Sequence, residues 1–349
     1  MESQHVCTVG DARDMAAIEA ESVDLVVTSP PYPMIEMWDE TFVAMNPAIE
    51  DALAAGDGGT AFDLMHAELA TVWDELDRVV RPGGIVCLNV GDATRSLDGS
   101  FSQYPNHARV VEQLTDLGFQ PLPDVLWRKP TNKASKFMGS GMLPTNAYVT
   151  LEHEYILVFR KGQTSRSFEP KSERRYESAY FWEERNAWFS DVWTDITGTF
   201  QSLAGDDGGR NRSGAYPVEI PYRLVNMYSV YGDTVLDPFW GTGTTTLAAM
   251  LSGRDSVGYE LDPGIAATFD DRVENLPEKS AAVVDERLDR HREFASDRWD
   301  DTANTADADY ESEHYGFPVV TKQEQQIRFY EATSLRETDE GYLVDYDPR

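Results

Sequence analysis

Short apolar runs bounded by turn residues alternate along the chain with stretches whose apolar positions return every three to four residues. That is the pattern of an α/β protein built on a sheet. The runs predict strands at Val6–Val9, Asp24–Thr28, Ile85–Val90, Val125–Arg128, Tyr155–Arg160, Val235–Asp237 and Ser256–Glu260. Several are almost unbroken Val, Ile and Leu, as expected of strands covered on both faces. Phe62, Met65, Leu69, Val72, Trp73, Leu76 and Val80 keep a helical rhythm, and Arg81-Pro82-Gly83-Gly84 halts that helix directly before the next strand. A further helix is predicted from about Ala108 to Leu117, closed by Gly118.

Three stretches interrupt this alternation. Residues 33–60 form a long insertion. Residues 162–213 are rich in charge and in aromatics, and Tyr176, Tyr180, Phe181, Trp182, Trp188, Phe189 and Trp193 read as a small core of their own. Beyond residue 275 the composition turns acidic, with 19 Asp or Glu against 9 Lys or Arg. The polar run at 300–313 reads as a solvated linker, and roughly 315–349 as a small β unit packed on the main domain. The expected division is a domain over 1–275, with 162–213 inserted in it, and an acidic C-terminal extension over 276–349.

With 349 residues there is ample chain for a hydrophobic core. No apolar run is long enough to span a bilayer, and the first residues lack the order of a secretory signal. Two isolated cysteines, Cys7 and Cys87, suggest neither a disulfide framework nor a metal set, and they suit a reducing cytoplasm. The net charge of −31 runs against a polyanionic partner. Residues 127–175 run against it, with ten Lys or Arg and only four acids. Acid spread everywhere else reads as an adaptation to molar salt, where screening shortens to about 3 Å. The expectation is a halophilic protein with one preserved basic surface.

Two motifs carry chemistry. Thr234–Thr246 reads TVLDPFWGTGTTT, a strand, a glycine turn and a helix start. Gly241 and Gly243 let a ligand approach the backbone, and the helix opening at Thr244 and Thr245 offers free amides. A P-loop lysine is missing, and a dinucleotide fingerprint would need Gly where Thr246 stands. Asp237 and Phe239 precede the turn. Glu260 ends the following strand, where an acid can accept both ribose hydroxyls or simply cap a turn. In the second motif, the strand Val23–Thr28 runs into Ser29-Pro30-Pro31-Tyr32. The prolines fix the backbone and remove donors. The Ser29 hydroxyl and a proline carbonyl can then accept both hydrogens of an exocyclic amine, freeing its lone pair to attack a methyl sulfonium. Tyr32 offers a stacking face to an extruded base. If the Asp24 and Val235 strands lie side by side at a topological switch point, Tyr32 comes beside Gly241.

TSPPY together with DPFWGTGTT resembles the amino-methyltransferases of DNA, and the motif order resembles their circularly permuted beta group. The resemblance covers about residues 5–275. It implies a Rossmann-like sheet of seven strands with the last antiparallel, S-adenosyl-L-methionine as cofactor and duplex DNA as partner. A cognate restriction endonuclease would act separately, and the chain could be monomer or dimer. It places Gly10-Asp11 near the cofactor adenine. Ala215–Pro221 matches the segment holding the methionine end, with Tyr216 where His is usual. Glu152–Phe159 matches the strand closing the base pocket, Arg128–Lys133 a loop beside it, and 162–213 the target-recognition region. Arg128, Lys129, Lys133, Lys136, Arg166, Lys171, Arg174 and Arg175 become the expected DNA contacts. Serine in the first motif position points to cytosine N4, and the archaeal enzymes of this look to CTAG. Adenine N6 with the same site is the near alternative, and a non-catalytic DNA-binding adaptor or an RNA-modifying enzyme the more distant ones.

Overall fold

The computed structural model describes residues 1–129, 138–196, 216–299 and 308–349. Lys133, Lys136 and the end of the expected recognition region lie outside them. All seven expected strands are present: β1 Glu2–Val9, β2 Val23–Thr28, β3 Val80–Val90, β4 Val125–Arg128, β5 His153–Lys161, β6 Thr234–Asp237 and β7 Asp255–Glu260. With β8 Tyr330–Thr338 and β9 Gly341–Pro348 they belong to one sheet, ordered β4-β5-β3-β2-β6-β7-β1-β9-β8. Strands β3, β2, β6, β7 and β1 run parallel, and β5 runs antiparallel between β3 and β4. The winding reverses between β2 and β6, where Leu25 faces Val235 and Val26 faces Leu236. That is the switch point at which open α/β sheets bind ligands.

Both faces of the sheet are covered. All six residues of β2 are buried, and alternate side chains enter different cores. Val26 packs under α1, Gly58–Val79, which buries Phe62, Met65, Leu69, Val72, Trp73 and Leu76 in the predicted rhythm. Asp57 caps that helix by accepting from the Thr60 amide, so it begins inside the expected insertion. The rest of 33–60 folds into short helices that send Phe42 and Ile49 into the same core. The second predicted helix is α2, Asn106–Asp116. On the opposite face Leu25 and Val27 meet Ile220, Leu224 and Ala249. These come from α3, Glu219–Tyr228, and α4, Thr244–Leu251.

The seven-strand expectation falls short at both edges. Among the described residues the sheet has 11 strands, including the short segments Phe119–Pro121 and Val192–Trp193 beside β5 and β4. The acidic segment is continuous with the sheet. Helix α5, Leu276–Trp299, lies against β8, and β9 pairs antiparallel with β1 from Glu2–Asp345 to His5–Tyr342. The N-terminal amine adds a bond to the Tyr346 carbonyl. Without β9 the outer edge of β1 would present unpaired backbone groups. The expected boundary at 275/276 therefore marks no gap in packing. No helix among the described residues is long and apolar enough to cross a membrane.

Candidate active site

A cavity of about 260 Å³ opens at the carboxyl ends of β2, β6, β7 and β1. It gathers Gly10 and Asp11, Ser29 and Pro31, Phe239 and Gly241, and Glu260. Both motifs thus meet in one place although they lie some 210 positions apart in sequence. Trp38, Thr41 and Met45 from the insertion complete its wall, a contribution that sequence reading missed because those residues carry no motif.

The glycine-turn end of the cavity is built from backbone geometry. Gly241 has φ +56° and Gly243 φ +74°, in the left-handed region that favours glycine. A Cβ on Gly243 would stand 2.3 Å from the Phe269 ring, so this glycine also serves packing. Glu260 accepts from the Gly241 amide at 2.8 Å and from the Asp262 amide at 3.0 Å. Those bonds hold its carboxylate at the cavity wall, and each oxygen keeps a lone pair for a further donor. Burial raises the Glu260 pKa. Asp11 shares the wall. Burial pushes its carboxyl up, but bonds from Arg13 outweigh this and hold it below the ordinary value.

Four of the expected cofactor residues stand behind the wall. Asp237 is buried, accepts from the Thr28 hydroxyl at 2.5 Å and from the Phe239 amide at 3.1 Å, and burial raises its pKa to about 6. Thr245 donates to the Val27 carbonyl and bonds the Tyr216 hydroxyl at 2.6 Å. Thr244 accepts from Arg272. Asp237, Gly243, Thr244 and Thr245 thus brace the turn, and the Tyr216 hydroxyl is committed to Thr245.

Ser29 stands between this cavity and a second group of residues. Its hydroxyl lies 3.0 Å from the Tyr32 hydroxyl, which donates to Glu154 at 3.1 Å. The Asn89 amide donates to both Tyr32, at 2.8 Å, and Glu154, at 2.7 Å, and the Lys129 ammonium meets the other Glu154 oxygen at 3.0 Å. Burial raises the Tyr32 pKa well above its usual value, so the phenol keeps its proton. Pro30 and Pro31 are buried, and a Cβ on Gly91 would come 2.9 Å from the Tyr32 ring. Tyr32 therefore sits one step along the rim from Gly241. Asn89 and Gly91 were missed as site residues, and Glu154 was placed only within the strand expected to close the base pocket. The signal available was an asparagine and a glycine closing the otherwise apolar strand around Cys87–Val90.

The expected basic surface divides in two. Arg128 is exposed and only loosely engaged with Glu152, and Lys129 belongs to the rim. Arg166 and Arg174 lie at the amino ends of β2 and β6, on the far side of the sheet. Arg166 bridges Asp24 and Asp233, and Arg174 bonds Asp233. Arg175 faces the Phe168 ring there, and Lys171 lies in the same segment, before the short helix Glu173–Glu177. The reason is the direction of β5, which carries the chain from the rim at His153 to the opposite side at Lys161. Phe181, Trp188 and Trp193 are buried, as expected of a core, whereas Trp182 and Phe189 remain partly exposed.

Residues 23–271 match a protein family described as DNA methylase. The chain is 50% identical over 333 residues to the type II methyltransferase M.MthZI of Methanothermobacter thermautotrophicus, covering 95% of this chain and 91% of that one. It is 48% identical over 282 residues to the type II methyltransferase M.MjaI of Methanocaldococcus jannaschii, covering 78% and 91%. Among solved structures it resembles TTHA0409 of Thermus thermophilus in complex with S-adenosyl-L-methionine. There the TM-score is 0.58 and the identity 33%, over 77% of this chain and 92% of that one. The PvuII DNA methyltransferase, cytosine-N4-specific, shares the fold at TM-score 0.51 and 18% identity, over 82% of this chain and 93% of that one.

Proposed function

Because this chain belongs to the DNA methylase family and uses S-adenosyl-L-methionine, we propose that it transfers the methyl group to cytosine N4 in duplex DNA. The observation that carries this reading is Ser29, whose hydroxyl occupies the junction between the cofactor cavity and the Tyr32 rim. In the expected roles Ser29 marks cytosine, where Asp or Asn would mark adenine.

The cavity suits the cofactor. Gly241 leaves the backbone open, Glu260 presents a carboxylate for ribose hydroxyls, and Asp11 a second one near the base. When bound, the cofactor supplies an electrophilic methyl on a sulfonium sulfur. The protein's own work is placement. Extruding the base from the duplex costs a few kcal/mol, which pocket contacts offset. Tyr32 stacks on the extruded ring. The Ser29 hydroxyl and the Pro30 carbonyl accept the two amine hydrogens, which draws the nitrogen toward tetrahedral geometry and directs its lone pair at the methyl carbon. The N–C bond forms as the bond to sulfur breaks, and the proton then lost from nitrogen leaves toward these acceptors and water.

Arg128 and Lys129 are the basic residues at this rim, so they are the expected phosphate contacts among those described. CTAG is the expected recognition sequence, and a restriction endonuclease acting separately is the expected counterpart. Ser29→Ala tests the assignment. Transfer should fall by two or more orders of magnitude, on the scale of losing a positioned acceptor in the transition state, with cofactor affinity retained. Retained transfer would show that the acceptor has been misplaced.

A further inference from the structure

Glu154 touches neither the cofactor cavity nor, in the mechanism above, the target amine, yet it is bonded to three side chains around Tyr32. Following each proton through that group gives it a task. An ionised carboxylate can only accept hydrogen bonds, and the amide nitrogen of Asn89 can only donate them. The Lys129 ammonium pairs with the other Glu154 oxygen at 3.0 Å, a contact between a cation and a carboxylate. The Tyr32 hydroxyl has one proton. Asn89 already donates to its oxygen from 2.8 Å, and Glu154 lies 3.1 Å away. Were the Tyr32 proton turned toward Ser29, a phenol lone pair would face a carboxylate lone pair at that distance, an unfavourable contact inside the protein. The Tyr32 proton therefore goes to Glu154. The 3.0 Å contact between the Ser29 and Tyr32 hydroxyls can then be filled in only one sense, with Ser29 as donor. Once its proton is engaged, Ser29 shows only lone pairs to the base.

We propose that Glu154 is a positioning residue that fixes the hydrogen-bond polarity of Ser29 through Tyr32, making the site an obligate acceptor for an exocyclic amine. The inference rests on the function proposed above. It also accounts for selectivity. A base bearing a carbonyl oxygen in place of the amine, such as thymine, would set an acceptor against the acceptors of Ser29 and Pro30, and the site would reject it. A freely rotating serine would not, because it could donate to that oxygen. The raised pKa of Tyr32 agrees with the phenol remaining a donor. Lys129 takes part by pairing with Glu154, which sets it apart from a residue that only meets phosphate.

A double-mutant cycle on kcat tests this, using the full chain, S-adenosyl-L-methionine and unmodified duplex DNA. Glu154→Leu removes the acceptor, Tyr32→Phe removes the hydroxyl that transmits it, and Glu154→Gln keeps one carbonyl acceptor. Each of the first two should lower kcat on the order of tenfold or more while leaving KM for the cofactor unchanged. Combined, they should lose no more than the worse single variant, because both break one chain. Glu154→Gln should recover most of the loss. Additive losses, or a Glu154→Leu enzyme with undiminished kcat, would overturn the proposal. If Glu154→Leu does not fold, as judged by its melting and cofactor titration, Tyr32→Phe paired with Glu154→Ala supplies the cycle. Then losses that add would overturn it, and losses that do not would support it. The methylated nucleoside made by the unaltered enzyme is read in the same assay. A product other than N4-methylcytosine tells against the proposed function, whereas the cycle reads the polarity chain on whichever amine is methylated.

Discussion

The Thr28 hydroxyl donates to the Asp237 carboxylate across 2.5 Å, joining the last residue of β2 to the last residue of β6. This bond ties the strand leading to Ser29 to the strand leading to Gly241, at the point where the winding of the sheet reverses. Thr28→Val keeps the side-chain shape and removes the donor, leaving a buried carboxylate short of a partner. Such a loss costs about 1–3 kcal/mol. Denaturant melts should show that decrease, and titration should show weaker cofactor binding, because Asp237 also holds the Phe239 amide. Unchanged values for both would mean that the two motifs are held together by other contacts.

Glu260 offers a direct test of the cofactor cavity. Glu260→Ala removes the proposed ribose acceptor and the anchor of the Gly241 amide together. Cofactor affinity should fall about tenfold or more, equivalent to some 1.4 kcal/mol per decade. Calorimetric titration with S-adenosyl-L-methionine measures it. Unaltered affinity would assign this acid to capping the turn alone.

The divided basic surface predicts two different phenotypes. Arg128→Ala at the rim should weaken DNA binding on all sequences and reduce the salt dependence by about one ion. Arg174→Ala, on the far side, should leave DNA affinity unchanged and lower stability, because Asp233 is almost fully buried and loses one of its two arginine partners. Binding isotherms over a salt series and thermal melts separate them. The reverse pattern would place DNA on the other side of the sheet.

A buried histidine supports the Ser29–Tyr32 loop. His66 lies 3.0 Å from the Asn106 side chain, whose amide donates to the carbonyls of Pro33 and Gly91 on either side of Tyr32. Burial lowers the His66 pKa from 6.5 to about 4. The unfolded chain takes up this proton near 6.5, and the folded chain resists it until about 4. The stabilising contribution is therefore complete above 6.5 and is lost as pH falls toward 4, amounting to about 2 kcal/mol by pH 5. His66→Gln can still donate to Asn106 and does not titrate. Between about pH 7.5 and about pH 5 it should lose less stability than the parent. Equal losses in the two proteins would remove His66 from the account.

Much of this architecture was legible because it is local. The rhythm from Phe62 to Leu76 is the buried face of α1, and the unbroken apolar run of β2 reflects a strand covered on both sides. The two motifs were readable because glycine and proline constrain backbone wherever they stand. What failed to show was set by direction and pairing. Lys129 and Arg166 look like neighbours in one basic stretch, yet β5 runs between them, and nine residues of strand separate its ends by roughly 26 Å. Glu154 and Tyr32 are 122 positions apart, and only the placement of β5 beside β3 brings them together. The hairpin β8-β9 was expected as a packed β unit, but its pairing to β1 depends on an open sheet edge that no local pattern announces.

The central claim is that Ser29 presents acceptors to the amine of cytosine. It is tested most directly by incubating the protein with labelled S-adenosyl-L-methionine and unmodified duplex DNA containing CTAG, hydrolysing the DNA and identifying the labelled nucleoside. The account predicts label in N4-methylcytosine, absent with Ser29→Ala. Label in N6-methyladenine, or none in DNA, would contradict it.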